Sequence, residues 1–564
     1  MKFFILLIAS FTSILTFAQD GKKVQFVGGA RSLISHADFT SDAVDTVTAR
    51  KNTGGYALID LGIKINPNAN TEILGMLRIK NAFGGFWGSG VTFDVRQLYV
   101  KGVAGNVLRY QIGNTDYKLS PYTFYNHNPD LLVQTSGTNK IKEEVLNYES
   151  FYTNKNTWRQ QGAAADFAIQ FPKFVQEIKF NGFITRLNPS NLNNILERLY
   201  GGGSITLTQS KYFSIAYNHV SVFDLKQTAN NNDAYRNNVN TLTYELKFDQ
   251  EKYKVSIDGE SGLSSSFSTQ NNEGKLSDYF VNAKANLELK KTGLKLHVGY
   301  MDNGADFRSF GAQSKRIDFN QTNNFYERYT NEQIVRPLSN YDLYNDPTLY
   351  NASISTKIMA YNPMINNVLP YGTATFNRRG LYAGAHFSDK KKIILADLSY
   401  YRLGEVRGQG TFELRKFNYL NSNLRFNFSN LMKWKKQQVL QLGIAYQSTK
   451  RTSEFDFEKI DLKTLTLHTG LELEVIKDLT LLGNVYYFNT NGNEIMPIRN
   501  TAGDIINFYG VVAGGDEYNL SGGLKFNFSK DIYLAAIFES NRNSLNDQLA
   551  YRYKQVLLYY IMKF

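Results

Sequence analysis

The sequence predicts an all-β fold: a transmembrane antiparallel up-and-down β-barrel of about 18–22 strands without a separate plug domain. The clearest single element is the last strand, Tyr551–Phe564, whose apolar residues share one parity and end on an aromatic C-terminus. Those residues are Val556, Leu558, Tyr560, Met562 and Phe564. Because side chains alternate between the two faces of a strand, they form one lipid-facing row. The terminal Phe564 also resembles the signal that the barrel-assembly machinery reads.

Alternation of apolar and polar residues recurs along the chain. In residues 241–248, 281–289 and 464–475 nearly every second residue is apolar, and most of the residues between are polar or charged. Leu467 is thus predicted to face lipid and its neighbour Thr466 to face the lumen. A soluble antiparallel sandwich would alternate in the same way, so the connections between strands must decide between the two folds.

Short turns alternate with longer polar loops. About ten short turns recur, among them 66–68, 249–251 and 529–531, and loops of variable and often large size separate them. This asymmetry is typical of barrels with periplasmic turns and extracellular loops. It implies roughly 22 strands, with about 18 to 20 as the alternative, and it places both termini in the periplasm.

The N-terminus predicts export. Residues 1–18 have a basic Lys2 and a short apolar run, and they end in a cleavage site near Ala18/Gln19, so we interpret them as a signal peptide. Residues 19–564 would then form a single barrel in the bacterial outer membrane. The chain has no cysteine, which excludes a lipoprotein anchor, disulfides and thiolate metal sites. A strand begins near Lys23, so we expect no N-terminal plug, and TonB-dependent uptake is disfavoured.

Composition agrees with a barrel rather than a helical membrane protein. The mean hydropathy is only −0.36, because polar lumen residues are interleaved with lipid-facing ones. The net charge of +13 could indicate an anion or nucleic-acid partner. Strand parity, however, gives a nearly balanced lumen, and much of the excess lies in short turns such as 390–392, where lysines can meet lipid headgroups. We expect outer-membrane lipids and a small polar solute as partners, and no nucleic acid.

Two loops, near residues 116–158 and 302–369, are too long to be simple connections. Loops of this length are usually functional, and an unfilled barrel of roughly 22 strands would enclose a very wide hole. We therefore expect both loops to fold at least partly into the lumen and constrict it. A protein partner could also bind them from outside.

The strand pair before the first long loop resembles a known family. Residues 93–102 (F-D-V-R-Q-L-Y-V-K-G) and 108–114 (L-R-Y-Q-I-G-N) look like paired strands of alginate-export and phosphate-selective-type porins, and the composition resembles porin-like proteins of Bacteroidota. The resemblance implies that Arg96 is a lumen cation near a constriction, and Arg109 joins it by parity. The chain departs from the pattern at Leu98, where Ala is usual, and at Asn114, where Arg is usual.

Strand parity and this resemblance together predict the residues that line the pore and its constriction. They are Arg78, Asp94, Arg96, Arg109, Glu177, Lys179 and Glu472.

The sequence does not predict an enzyme. Three of the six histidines, His297, His386 and His468, share lumen parity but lie on strands far apart, whereas metal or triad chemistry needs side chains within a few ångströms. We therefore expect no catalytic residue, metal or cofactor.

Two classes of function remain. The first is a porin-like channel for diffusion of small polar or charged solutes, with inward loops that set the aperture. The second is a non-conducting accessory barrel of a secretion, assembly or surface-glycan system that binds a partner through its long loops. The sequence favours the channel and names no substrate.

Overall fold

The computed structural model describes most of the chain as a single sheet of 22 strands. The described residues are 23–41, 50–83, 90–127, 130, 136–149, 156–189, 196–225, 234–268, 276–321, 338–351, 353–355, 357–499, 505–545 and 550–564. The predicted signal peptide, residues 1–18, lies outside them. The strands are β1 (Val24–Ser41), β2 (Arg50–Asn68), β3 (Thr71–Ala82), β4 (Val91–Ala104), β5 (Leu108–Tyr117), β6 (Trp158–Gln170), β7 (Glu177–Asn188), β8 (Glu197–Thr208), β9 (Phe213–Leu225), β10 (Tyr235–Asp249), β11 (Tyr253–Ser268), β12 (Leu276–Leu289), β13 (Leu294–Asn303), β14 (Arg378–Ser388), β15 (Ile394–Gly404), β16 (Lys416–Asn427), β17 (Gln438–Arg451), β18 (Ile460–Ile476), β19 (Leu479–Arg499), β20 (Ile505–Asn527), β21 (Ile532–Asn543) and β22 (Tyr551–Lys563).

The sheet closes on itself. Each strand pairs antiparallel with the next along the chain, and β22 pairs antiparallel with β1, for example at Ser32 and Tyr560. The predicted antiparallel up-and-down barrel is therefore confirmed, with a strand number at the upper end of the expected range. In the described part of the chain no folded unit stands apart from the barrel. Closure pairs the first and last strands, which would otherwise be the two free edges of the sheet.

The apolar and polar residues that alternate in the sequence lie on opposite faces of the barrel wall. On β22, Val556 is 50% exposed on the outer face, whereas the intervening Leu557 and Tyr559 are buried on the lumen side. On β18, Leu467 is outward and partly exposed and Thr466 is buried. Outward apolar side chains around the wall give the surface that a lipid-facing barrel requires. None of the helices in the described residues is long and apolar enough to cross a membrane.

The two ends of the barrel differ. At one end, called here the short-turn end, tight connections join successive strands, such as Asn68–Thr71 between β2 and β3. The other, called the long-loop end, carries the two longest connections. These are loop A, residues 118–157 between β5 and β6, and loop B, residues 304–377 between β13 and β14. Because the number of strands is even, the start of β1 and the end of β22 both lie at the short-turn end.

Loops A and B fold into the lumen. Loop A carries helix α1 (Thr138–Glu149), and loop B carries α2 (Phe310–Gln313) and α3 (Asn340–Asn345), whereas α4 (Phe428–Met432) lies in the connection between β16 and β17. Short 3-10 turns complete loop B at Pro347–Leu349 and Gly372–Ala374. The loops therefore form an internal layer that the barrel wall surrounds.

The two loops and the wall share one large apolar core. Tyr122 of loop A stacks on Phe280 of β12 with ring centroids 3.8 Å apart, and Phe307 of loop B packs edge-on against the same Phe280 ring. Trp158 at the start of β6 is fully buried in this cluster and donates its indole N–H to the Gly311 carbonyl at 3.0 Å. Burial of each such ring contributes roughly 1.5–3 kcal/mol, so the loops are held as folded elements.

A neighbouring pair on β15 offers a test of the membrane-facing surface. Leu398 is 45% exposed on the outer face, and Ser399 lies on the lumen face opposite Asn421. We expect Leu398→Arg to cost about 2–4 kcal/mol of unfolding free energy, since the charge enters the lipid, and Ser399→Arg to cost less than about 1 kcal/mol. Urea unfolding of protein refolded into vesicles measures both. Equal costs at the two positions would contradict a lipid-facing outer wall.

Candidate functional site

Helix α1 is the central element of the lumen. Its 12 residues span about 18 Å, and Ile141 and Val145, four residues apart, share one apolar face. That face packs against the inward side chains of β19, β21 and β22, including Leu482, Ile537 and Leu557. The helix therefore lies against the lumen side of the wall rather than outside the barrel.

Polar contacts fix the first half of α1 to the wall. Lys142 forms an ion pair with Glu539 of β21, and both side chains are almost completely buried. Glu472 of β18 accepts a hydrogen bond from the Gly137 backbone N–H at 3.3 Å and a longer contact from the Lys140 ammonium at 3.4 Å. Because a buried charge is costly unless it is paired, the Lys142–Glu539 contact ties the position of the helix to the wall.

The other end of α1 meets a cluster of charged residues on β1–β4. This constriction cluster consists of Arg31, Asp60, Arg78 and Arg96 on the wall and Tyr148 on α1. Arg78 donates two hydrogen bonds to the Asp60 carboxylate, at 2.8 and 2.9 Å, and Arg96 Nε lies 3.3 Å from the same carboxylate. The Tyr148 hydroxyl also donates to Asp60, and the Tyr148 carbonyl accepts from Arg96.

The Tyr148 ring holds the three guanidinium groups together. The Arg96, Arg31 and Arg78 guanidinium carbons lie 4.1, 5.1 and 5.6 Å from the ring centroid, within cation–π range. Burial, followed by the hydrogen bond to Asp60, raises the pKa of the Tyr148 phenol. The phenol is therefore a protonated donor at neutral pH. Three guanidinium groups thus gather around the Tyr148 ring, and two of them share the Asp60 carboxylate.

Loop B is also anchored to the wall. Glu517 of β20 is fully buried and accepts from the backbone N–H groups of Asn340 and Tyr341 at the start of α3, at 3.1 and 2.8 Å. Asn367 donates to Thr449 of β17 at 2.9 Å. Such bonds satisfy buried polar groups of loop B with partners on several strands, so the loop is held in one position.

A cavity of about 510 Å³ opens beside β3–β6, toward the short-turn end. Glu72 and Lys101 form part of its lining and make an ion pair at 2.8 Å, and Lys64 contacts the same carboxylate. Arg109 forms an ion pair with Asp166 on the opposite side of the lining. The cavity therefore presents paired charges of both signs to a solute.

The structure brings only some of the predicted site residues together. Arg78 and Arg96 lie in the constriction cluster, and Glu472 contacts the opposite end of α1. Asp94 is the cross-strand neighbour of Arg78, but it makes no hydrogen bond or ion pair with a described residue.

The remaining three predicted residues lie nearer the short-turn end. Arg109 pairs with Asp166 close to the connection between β4 and β5, and its side chain is 62% exposed. Glu177 and Lys179 stand at the start of β7, opposite Thr208 and Thr206. These three residues stand apart from the cluster around Tyr148.

Sequence reasoning missed the residues that organise the cluster. Asp60 stands between outward Ile59 and Leu61 on β2, so the alternation of the strand predicts that its side chain faces the lumen. Nothing in the sequence, however, marks Asp60 as the shared partner of two arginines. Tyr148 could not be placed either, because its position depends on how loop A folds. The spacing of Ile141 and Val145 was the available signal for α1.

Comparison with known proteins identifies no family for this chain. No family model and no curated protein matches it. Several solved structures align along nearly the whole chain. Pseudomonas aeruginosa OccK5 (OpdH) is 10% identical, with 96% of this chain and 98% of that chain covered and a TM-score of 0.33. A BenF-like porin from Pseudomonas fluorescens Pf-5 is 8% identical, with coverage of 97% and 100% and a TM-score of 0.35. Acinetobacter baumannii OccAB1 is 8% identical, with coverage of 97% and 99% and a TM-score of 0.31. At these TM-scores the architecture rests on this chain's own strand pairing.

Proposed function

We propose that this protein is an outer-membrane, porin-like channel for diffusion of small polar or charged solutes. The observation that carries the proposal is the position of α1, a helix folded into the lumen whose Tyr148 end meets the arginine-rich constriction cluster. Fixed charges beside a narrow passage select among the ions and solutes that enter it. The paired charges in the cavity beside β3–β6 fit the same role.

The proposal includes an orientation in the cell. The short-turn end faces the periplasm and the long-loop end faces the outside, as in other bacterial barrels. Outer-membrane lipids contact the apolar outer wall, and Phe564 is the residue that the assembly machinery would read. The resemblance of β4 and β5 to alginate-export and phosphate-selective-type porins of Bacteroidota stays a prediction.

The alternative is an accessory barrel that binds a partner through its long loops. One observation favours it: apolar side chains of loops A and B pack against inward residues on β6–β22 and β1, which fills much of the lumen. The sector formed by β2–β4 differs, since charged residues rather than an apolar cluster meet α1 there. We place the solute route along that sector.

Liposome swelling tests the proposed channel. Vesicles that contain the refolded protein should swell in isotonic solutions of a pentose and much more slowly in a trisaccharide, because the filled lumen leaves a narrow route. Protein-free vesicles provide the baseline. Swelling at the baseline rate in every solute, from protein that still shows the heat-dependent gel mobility of a folded barrel, would contradict the channel and favour the accessory barrel.

A further inference from the structure

The barrel wall has a lateral seam between β4 and β5. These strands pair only over Tyr99–Ala104 and Leu108–Gly113. Nearer the long-loop end, β4 remains paired with β3 as far as Val91, and β5 remains paired with β6 as far as Tyr117. The β5-facing edge of β4, over residues 91–95, has no backbone hydrogen-bond partner among the described residues.

Three local features separate the two strands at one height. Arg96 is an extra residue on β4, since Gln97 pairs with Met76 and Val95 pairs with Leu77. Such a bulge bends its strand and increases the local twist. On β5, Gly113 has φ +99°, and a Cβ there would lie 2.3 Å from the Leu98 carbonyl oxygen. This region of backbone space favours glycine.

The third feature is a side-chain hydrogen bond at the point where β4 and β5 separate. The Leu98 N–H donates to the side-chain oxygen of Asn114 at 2.7 Å, where a backbone carbonyl would continue the ladder. Bulge, glycine and side-chain cap lie within a few residues of each other on both strands. The seam is therefore built by specific residues and is not a frayed strand end.

The seam opens at membrane depth. Apolar outward side chains flank it on both strands: Phe93, Val95 and Leu98 on β4 are 65%, 72% and 58% exposed, and Ile112 on β5 is 57% exposed. Open sheet edges do not persist against hydrocarbon, because lipid cannot satisfy backbone N–H and C=O groups. Water or a polar ligand group must therefore reach this edge from the lumen.

The lumen side of the seam is polar and leads to the sites described above. Residues 115–117 of β5, which would face the edge of β4, line the 510 Å³ cavity. Arg96, the bulged residue, belongs to the constriction cluster, which also contains Arg31 and Arg78. The apolar exterior, the β4 edge over residues 91–95 and this arginine-rich interior thus lie next to one another.

We propose that the β4–β5 seam is a lateral passage between the lumen and the membrane for a single-chain amphiphile with an anionic head. The acyl chain contacts Phe93, Val95, Leu98 and lipid, while the head group reaches the cavity and the arginines and can accept from the β4 edge. The passage deepens the channel proposal and rests on it, since it supplies a membrane-side opening to the same lumen.

A reversible disulfide across the seam tests the passage. The double variant Gln97→Cys, Thr115→Cys places the only two cysteines of the chain at positions that would lie opposite each other if the ladder continued two residues beyond the Tyr99–Gly113 pair. Vesicle-embedded protein is exposed to a diazirine-bearing long-chain fatty acid, irradiated, and mapped by mass spectrometry. The reduced protein should carry label on cavity residues such as Lys101 and Gln111, and oxidation should abolish that label while the outward residue Ile112 stays labelled.

The matched control is Ser399→Cys with Asn421→Cys, a cross-strand pair on the lumen face of the closed β15–β16 wall. Its oxidation should leave cavity labelling unchanged. Cavity labelling that persists in the locked seam variant, or that is absent from the reduced one, would overturn the passage. Equal cavity labelling by the corresponding fatty alcohol would overturn the anionic head.

A single-cysteine comparison gives a readout that does not need the disulfide. A maleimide on a long acyl chain, dissolved in the membrane, should react with Gln97→Cys although residue 97 faces the lumen, and should not react with Ser399→Cys. Failure at both positions would count against the seam. Ion conductance recorded on the same preparations separates the two proposals: a conducting protein with no seam labelling refutes only the passage, and a silent protein refutes the channel.

Discussion

Removal of helix α1 should raise single-channel conductance by at least about twofold. The change is deletion of residues 136–149 with a short Gly-Ser linker in their place. The helix lies in the lumen, and its Lys140 and Tyr148 side chains contact Glu472 on β18 and Arg96 on β4, so its loss widens that sector. Loop B keeps its own anchors, including Glu517, and should hold the rest of the internal layer. Planar-bilayer recordings measure the change.

The matched control removes a loop segment that lies outside the lumen. Residues 454–457 connect β17 and β18, and Phe455 and Phe457 there are 58% and 76% exposed. Their deletion should leave conductance unchanged. If both deletions give the conductance of the intact protein, α1 does not limit the flow of ions.

The second large effect is on ion selectivity. We expect Arg96→Gln to lower the chloride-to-potassium permeability ratio by at least about twofold, because Arg96 contributes a fixed positive charge to the constriction cluster. Arg109→Gln is the matched control with the same change of charge. Like Arg96 it is in an ion pair, here with Asp166, but its side chain is 62% exposed and lies away from α1, so its loss should change the ratio much less. Reversal potentials in a salt gradient give both ratios.

Equal shifts at Arg96 and Arg109 would show that selectivity depends on total lumen charge and not on the cluster. A shift at Arg109 alone would move the selective region to the short-turn end. Glutamine is preferable to glutamate here, since a new carboxylate beside the buried Asp60 would add an unpaired charge and endanger folding.

The fold was predictable because it depends on a property that short segments carry by themselves. The alternation with period 2 in residues 551–564 is enough to place Val556 on the outer face and Leu557 on the lumen face, without information from the rest of the chain. The asymmetry of connections then sets the number of strands. Both signals are local or nearly so, and the structure confirms the barrel that they predict.

The interior was less predictable, since it depends on contacts between distant segments. Arg78 and Arg96 were predicted as lumen residues, but their shared contact with Asp60 joins three strands, and the Tyr148 that completes the cluster comes from loop A. The seam depends on a bulge at Arg96 and on the left-handed backbone of Gly113. Gly113 leaves no mark in the pattern of apolar and polar residues. The bulge shifts the parity of the outward apolar residues by one, from Phe93 and Val95 to Leu98, but this shift does not show that β4 separates from β5.

Single-channel recording of the intact protein in planar bilayers distinguishes a constricted channel from a closed barrel. We expect discrete openings with a conductance far below that of an unobstructed barrel of this strand number, because loops A and B occupy much of the lumen. Electrical silence from protein that is inserted and folded, as judged by its heat-dependent gel mobility, would contradict the channel. Conductance as large as that of an unfilled barrel would contradict the constriction.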